Sequence, residues 1–184
     1  MQNLSRIKAK GGKKKVVEVS TSILSVNEGE SIKVFYNLET AKTDYFHIDV
    51  MDGKFVKNDT REKMMRFTEQ IKSISNLPLD IHLMVSKPSK YIDKYASLNS
   101  SYITIHLDTM EDVLKNLKLI KSYGIKTGLA INPNNKVEEI IPYLENIDLI
   151  LVMGVVPGYG GQVFIEETID KLKELQVLKK EYPN

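Results

Sequence analysis

All three histidines of the chain fall where short β-branched runs reach their ends: His47 within Tyr45–Val50, His82 within Leu79–Met84, and His106 closing Tyr102–His106. His47 and Asp49 are two apart on one strand, so their side chains leave the same face. His82, flanked by Ile81 and Leu83, can point with them from a neighbouring strand. Two imidazoles and a carboxylate converging in this way suit Zn²⁺, Mn²⁺ or Fe²⁺, with coordination positions left for substrate oxygens. The plainer alternative is a polar interior whose groups only bond to one another. For a single His that alternative is preferred; for His47, Asp49 and His82 together the metal is. His106, followed by Leu107-Asp108, is left unassigned. Asp52-Gly53 reads as a tight turn rather than a catalytic pair. Met51, Met84 and Met153 each stand where a strand ends. Methionine is usually flexible core filler, as Met64 and Met65 are read here, but three thioethers on one rim would give a site a soft, polarizable surface.

The second signal is the loop Pro157-Gly158-Tyr159-Gly160-Gly161-Gln162. Glycines let backbone N–H groups approach an anion closely, and a following helix N-terminus adds partial positive charge. Alone such a loop is as well explained by mobility. Beside the histidine constellation it points to a phosphorylated substrate.

These residues need strands that end together. From Val16 onward, β-branched runs alternate with segments of helical period: strands at Val16–Ile23, Tyr45–Val50, Leu79–Met84, Tyr102–His106, Lys126–Ile131 and Asp148–Met153, each followed by a helix. The helices are expected at about 27–41, around Met64 to Ile74, from Pro88 to about 98, around Val113 to Ile120, at 137–144 and at 167–180. Strand–helix alternation requires a parallel sheet with right-handed crossovers, in either a doubly wound sheet or a (β/α)₈ barrel. A doubly wound sheet expects its Gly-rich loop after strand one. Here that turn reads Ser22-Ile23-Leu24-Ser25, and the glycines follow strand six.

Composition sets the outer bounds. With 184 residues and 42% hydrophobic side chains the chain can bury one core. The absence of cysteine excludes disulfides, zinc fingers, iron–sulfur clusters and thiol catalysis, so a metal must be held by His, Asp or Glu. No apolar run approaches the roughly 18 residues of a membrane span, and the first fifteen residues lack the apolar stretch of a secretory signal. Those fifteen carry six basic and no acidic side chains. They are read as a basic flexible leader, 1–15, ahead of a single domain at 16–184, rather than as a nucleic-acid arm, because they lack aromatics for base stacking.

Five segments then resemble the ribulose-phosphate 3-epimerase family: Ser22-Ile23-Leu24-Ser25, His47 to Val56, Leu79 to Val85, Asn132-Pro133, and Val152-Met153 through Pro157 to Phe164. The likeness runs in order from about residue 16 onward. It implies a (β/α)₈ TIM barrel of the pentose phosphate pathway that interconverts D-ribulose 5-phosphate and D-xylulose 5-phosphate through an enediolate. The implied cofactor is one divalent metal ion, zinc first, with iron, manganese or cobalt as alternatives. By the resemblance Asp49 is an acid/base catalyst and metal ligand beside His47 and His82. Ser22, His47, His82, Met51, Met84, Met153, Gly158, Tyr159, Gly160 and Gly161 would contact the substrate. A phosphorylated ketopentose partner, no nucleic acid, no membrane, a homo-oligomer and a cytoplasmic location are expected with it.

The family's second acid/base Asp lies in an Asp-Gly-Gly motif ending strand seven, and only six βα units are found here, so an incomplete barrel is expected. Asp148 and Asp170 cannot substitute, falling at the start of strand six and in the last helix. Lys57, Asn58-Asp59-Thr60 and Gly154 also depart from the family pattern. The alternatives are a shortened, inactive sugar-phosphate-binding relative, whose missing strands a partner would supply, and an allulose-phosphate 3-epimerase.

Overall fold

A computed structural model describes residues 17–182; the expected leader and Val16 lie outside them. The chain alternates β1 (Ser20–Ser22), α1 (Ser31–Thr40), β2 (Tyr45–Met51), α2 (Arg61–Ile74), β3 (Leu79–Met84), α3 (Ser89–Ala96), β4 (Tyr102–His106), α4 (Val113–Ser122), β5 (Lys126–Ile131), a 3₁₀ segment (Val137–Asn146), β6 (Leu149–Val152) and α5 (Thr168–Glu181). The six strands lie in consecutive order, each parallel to the next. A doubly wound sheet reverses its strand order at a central switch point. Consecutive order does not, and the sheet is the curled half of a (β/α) barrel with β1 and β6 as its edges.

Register and side-chain alternation divide the strands into two faces. Phe46, Ile48 and Val50 of β2, Leu79, Ile81 and Leu83 of β3, Ile103 and Ile105 of β4, and Leu129 and Ile131 of β5 are fully buried under the helices. Each such side chain contributes roughly 1.5–3 kcal/mol. Phe35 of α1 and Phe67 of α2 meet there edge-to-face, centroids 5.3 Å apart. The opposite face carries His47, Asp49, Asp80, His82, Thr104 and His106, the polar groups of the site. Asp49, His82, Thr104 and Gly128 stand side by side across β2 to β5. A Cβ on Gly128 would lie 2.1 Å from Thr104 Oγ1, so this row closes only with glycine there.

Local chemistry fixes the helix ends. Asp112 accepts the Lys115 N–H at 2.9 Å and caps α4, and Gly124, at φ 72°, ends it. Three expectations need correction. The first strand is confined to Ser20–Ser22 because only these residues pair with β2, and Val17 and Val19 are exposed. The first helix begins with a 3₁₀ turn at Glu28–Glu30, entered through Asn27, whose side chain accepts the Gly29 N–H. The helix expected at 137–144 is 3₁₀: Pro142 lacks an N–H and its ring would press on the carbonyl of Glu138 in an α-helix.

Candidate active site

His47 Nε2 stands 3.3 Å and His82 Nδ1 3.0 Å from the same oxygen, Oδ1 of Asp49. One ligand atom from each of the three residues lies within 4.8 Å of the others. The second oxygen of Asp49 accepts the Ser22 hydroxyl at 2.6 Å. Behind His47, the Nδ1–H donates to Asp80 Oδ2 at 2.7 Å, and Ser20 donates to the same oxygen. Behind His82, its Nε2 meets His106 Nε2 at 2.8 Å.

Burial would lower the pKa of His47, but its bonds to Asp49 and Asp80 outweigh that and push it up to about 10. Burial would raise Asp49, yet the bonds from His47 and His82 hold it well below the usual carboxylate range. Asp80 is lowered in the same way, chiefly by His47 against its own burial. His106 is driven well below the usual histidine value by burial and then by the neighbouring His82. Two ionised carboxylates beside imidazoles form a negative, largely buried nest. That donor set, with each ligand imidazole backed by a partner on its far nitrogen, fits a divalent cation.

The loop after β2 is built to hold this geometry. Thr60 Oγ1 accepts the Met51 N–H at 2.9 Å and donates to the Asp49 carbonyl at 2.7 Å, clamping the strand end that carries the carboxylate. Asp52 is buried; its carboxylate accepts the N–H groups of Lys54 and Phe55 and both the N–H and hydroxyl of Ser86. It is a turn-former, as expected, and it also ties the β2 loop to the β3 loop. Phe55, delivered by that turn, covers the His106 ring at 4.8 Å.

A cavity of about 310 Å³ opens over the cluster, lined by Ser22, His47, Asp49, Met51, His82, Met84, Met153, Gly158, Tyr159 and Gly160 among others. Ten of the singled-out positions thus share one space, and Gly161 is the exception outside the lining. The glycine loop bends over this cavity. Gln162 Nε2 donates to the carbonyls of Val156 and Tyr159, and Asn58 Nδ2 donates to Gly158 O at 2.7 Å. Gly158 sits at φ 125° with Val56 3.2 Å from where a Cβ would be, so no other residue fits this contact. Asp148 accepts the Thr127 N–H at the far end of β6, and Asp170 pairs with Lys173 on α5, so neither approaches the site.

Sequence reasoning passed over Asp80 and left His106 unassigned. A signal existed for Asp80: it precedes His82 by two residues and so shares its face. For His106 there was none, because its contact with His82 crosses between strands and depends on register.

With this geometry in place, comparison with known proteins is decisive. The ribulose-phosphate 3 epimerase family profile matches residues 18–183. The ribulose-phosphate 3-epimerase of Bacillus subtilis is 35% identical over 161 residues, covering 88% of this chain and 73% of that protein. The Helicobacter pylori (strain J99) enzyme of the same name is 36% identical over 166 residues, covering 90% and 75%. The chloroplastic ribulose-5-phosphate-3-epimerase of Arabidopsis thaliana is 35% identical over 163 residues, covering 86% and 56%. A profile spanning nearly all the described residues, laid over a half-barrel with its histidines and carboxylate at the strand ends, places this chain in the ribulose-phosphate 3-epimerase family.

Proposed function

We propose that this chain interconverts D-ribulose 5-phosphate and D-xylulose 5-phosphate by moving the proton at C3, with residues 16–184 acting as one barrel unit. The observation that carries this reading is the Asp49 carboxylate, held between two imidazoles on one oxygen and Ser22 on the other, at the floor of a cavity under a glycine loop. Inverting a carbon beside a carbonyl requires taking its proton on one face and returning one on the other. A positioned acid/base group contributes about 10²- to 10⁴-fold to such a step. Asp49 is the group on this side, and the Ser22 hydroxyl orients its free oxygen and reaches toward the substrate. Met51, Met84 and Met153 present an apolar wall to the planar enediolate and exclude water from it. The backbone of Gly158 to Gly161 receives the phosphate.

His47, Asp49 and His82 are the residues that would hold a divalent ion, which supplies Lewis-acid stabilisation of the charge developing on the substrate oxygens. Asp80, the other carboxylate beside these imidazoles, is taken up by His47 and Ser20, and the second reading is a sugar-phosphate-binding chain without turnover. Proton exchange separates the two. The Zn²⁺-loaded chain incubated with D-ribulose 5-phosphate in D₂O should lose the C3–H resonance, and Asp49→Asn should not. Binding of the sugar phosphate with no loss of that resonance would establish the second reading instead.

A further inference from the structure

We propose that a second cavity, beside the loops that follow β2 and β3, binds the phosphate group of a small phosphorylated molecule. Its volume is about 390 Å³, and it shares no lining residue with the cavity over His47, Asp49 and His82. The proposal therefore stands apart from the reading of that site. Four cationic side chains line the space: Lys54 from the loop after β2, Arg61 at the start of α2, Lys87 from the loop after β3, and Lys90 from α3. Asp52 is the one carboxylate in the lining.

The protein does not answer these charges itself. A carboxylate offers about four lone-pair sites, and those of Asp52 are taken. Its Oδ1 accepts the N–H groups of Lys54 and Phe55, and its Oδ2 accepts the N–H and hydroxyl of Ser86. Arg61 turns back on Asp59, which accepts from its Nε and Nη2. Glu111 lies outside the lining and accepts the N–H and hydroxyl of Ser89. Lys54, Lys87 and Lys90 are exposed and take part in none of the ion pairs among the described residues. Setting Asp52 and Asp59 against the four cations leaves two positive charges on the cavity, which a phosphate monoester, close to a dianion at pH 7, matches. Ammonium groups on flexible stems can close on a tetrahedral anion from different sides. Tyr91 and the exposed thioether of Met110 supply apolar wall for the rest of the ligand. The volume exceeds that of a bare phosphate and falls in the range of roughly 300–1,000 Å³ usual for small-molecule sites. Because the lysines come from both loops that Asp52 ties together, a bound anion adds a second tie between them. That tie lies one residue beyond Met51, which lines the other cavity.

The test follows ¹⁵N–¹H spectra of the full chain at fixed ionic strength during titration with inorganic phosphate, ribose 5-phosphate and AMP. Saturable shifts are expected at 52–54, 86–91 and Met110. Lys87→Met and Lys90→Met remove charge and keep the stem at exposed positions, and each should weaken binding about tenfold, the low end for a hydrogen bond to a charged group. Equal affinities for ribose 5-phosphate and AMP would make the phosphate alone the recognised group, whereas tighter AMP binding with added shifts at Tyr91 and Met110 would make the ligand a nucleotide. Shifts that never saturate, that survive both substitutions unchanged or that are confined to 157–161 would overturn the proposal. So would a response to an oligonucleotide such as oligo(U) with none to the three small probes, which would make this face a nucleic-acid contact instead.

Discussion

Replacing Asp80 by Asn isolates one charge behind the site without changing its shape. The oxygen of Asp80 that accepts from His47 and Ser20 becomes an amide oxygen that can accept from both, while the other oxygen, which has no partner now, becomes the amide nitrogen. What disappears is the charge. A hydrogen bond to a charged group contributes about 1.5–3 kcal/mol and a neutral one about 0.5–1.5, so His47 in its protonated form loses about 1–1.5 kcal/mol. At about 1.4 kcal/mol per unit, its pKa should fall by about one unit from the value near 10. Asp49 still contacts the ring at 3.3 Å, which keeps the pKa above the unperturbed 6.5. The assay is an NMR titration of the His47 Cε1–H in the metal-free chain. A midpoint that does not move would refute the assignment of the raised pKa to two carboxylates acting together.

Three further outcomes are expected. Gly128→Ala forces a Cβ against Thr104 Oγ1; overpacking of this kind costs about 1–3 kcal/mol, and at roughly 2–4 °C per kcal/mol the Tm should drop visibly by calorimetry. An unaltered Tm would show that the row of interior side chains is looser than it is drawn. Asn58→Ala removes the bond to Gly158 O and should speed amide exchange across 157–161, raising KM more than it lowers kcat; unchanged exchange would mean the two loops are joined by other contacts. The third concerns pH. His47 has a folded pKa raised above its unfolded 6.5, so its stabilising contribution is complete below 6.5 and fades as pH rises toward 10. Asp49 and Asp80, both depressed from 3.8, contribute fully above about 4 and lose that contribution in acid. His106, held well below its unfolded 6.5, opposes folding as pH falls under that value, so the Tm of the metal-free chain should be highest near pH 6.5. A rise from pH 7 to 9 would contradict this, and His47→Asn should flatten the alkaline limb.

Much of the site was legible because its signals are local. Leu79–Met84, Tyr102–His106 and Lys126–Ile131 end in the structure where their β-branched runs end, and a period of two put His47 with Asp49. The spacing left a doubly wound sheet and a barrel both open, and the barrel implied by the family resemblance agrees with the consecutive strand order. What stayed hidden depends on pairs of distant residues. The His82–His106 contact requires the register of β3 against β4, and the Asn58–Gly158 bond joins loops a hundred residues apart. Edge effects misled as well. Val17 and Val19 have strand-like side chains, but with one neighbouring strand and no helix over them they remain exposed. Pro142 was in plain view, and the helix expected at 137–144 ran across it.

The two-faced strands carry a consequence for how this sequence tolerates change. Along 45–51 and 79–84, residues that hold the helices alternate one by one with residues that face the cavity. A saturation scan read separately for cellular abundance and for catalysis should therefore beat with a period of two: Phe46, Ile48, Val50, Ile81 and Leu83 would weigh most on how much protein accumulates, while His47, Asp49 and His82 would weigh most on what it does. Because the apolar layer lies on the other face of the strands, polar side chains of the cavity face can be exchanged without opening that layer. Lineages built on such strands can lose or exchange a reaction while keeping the fold.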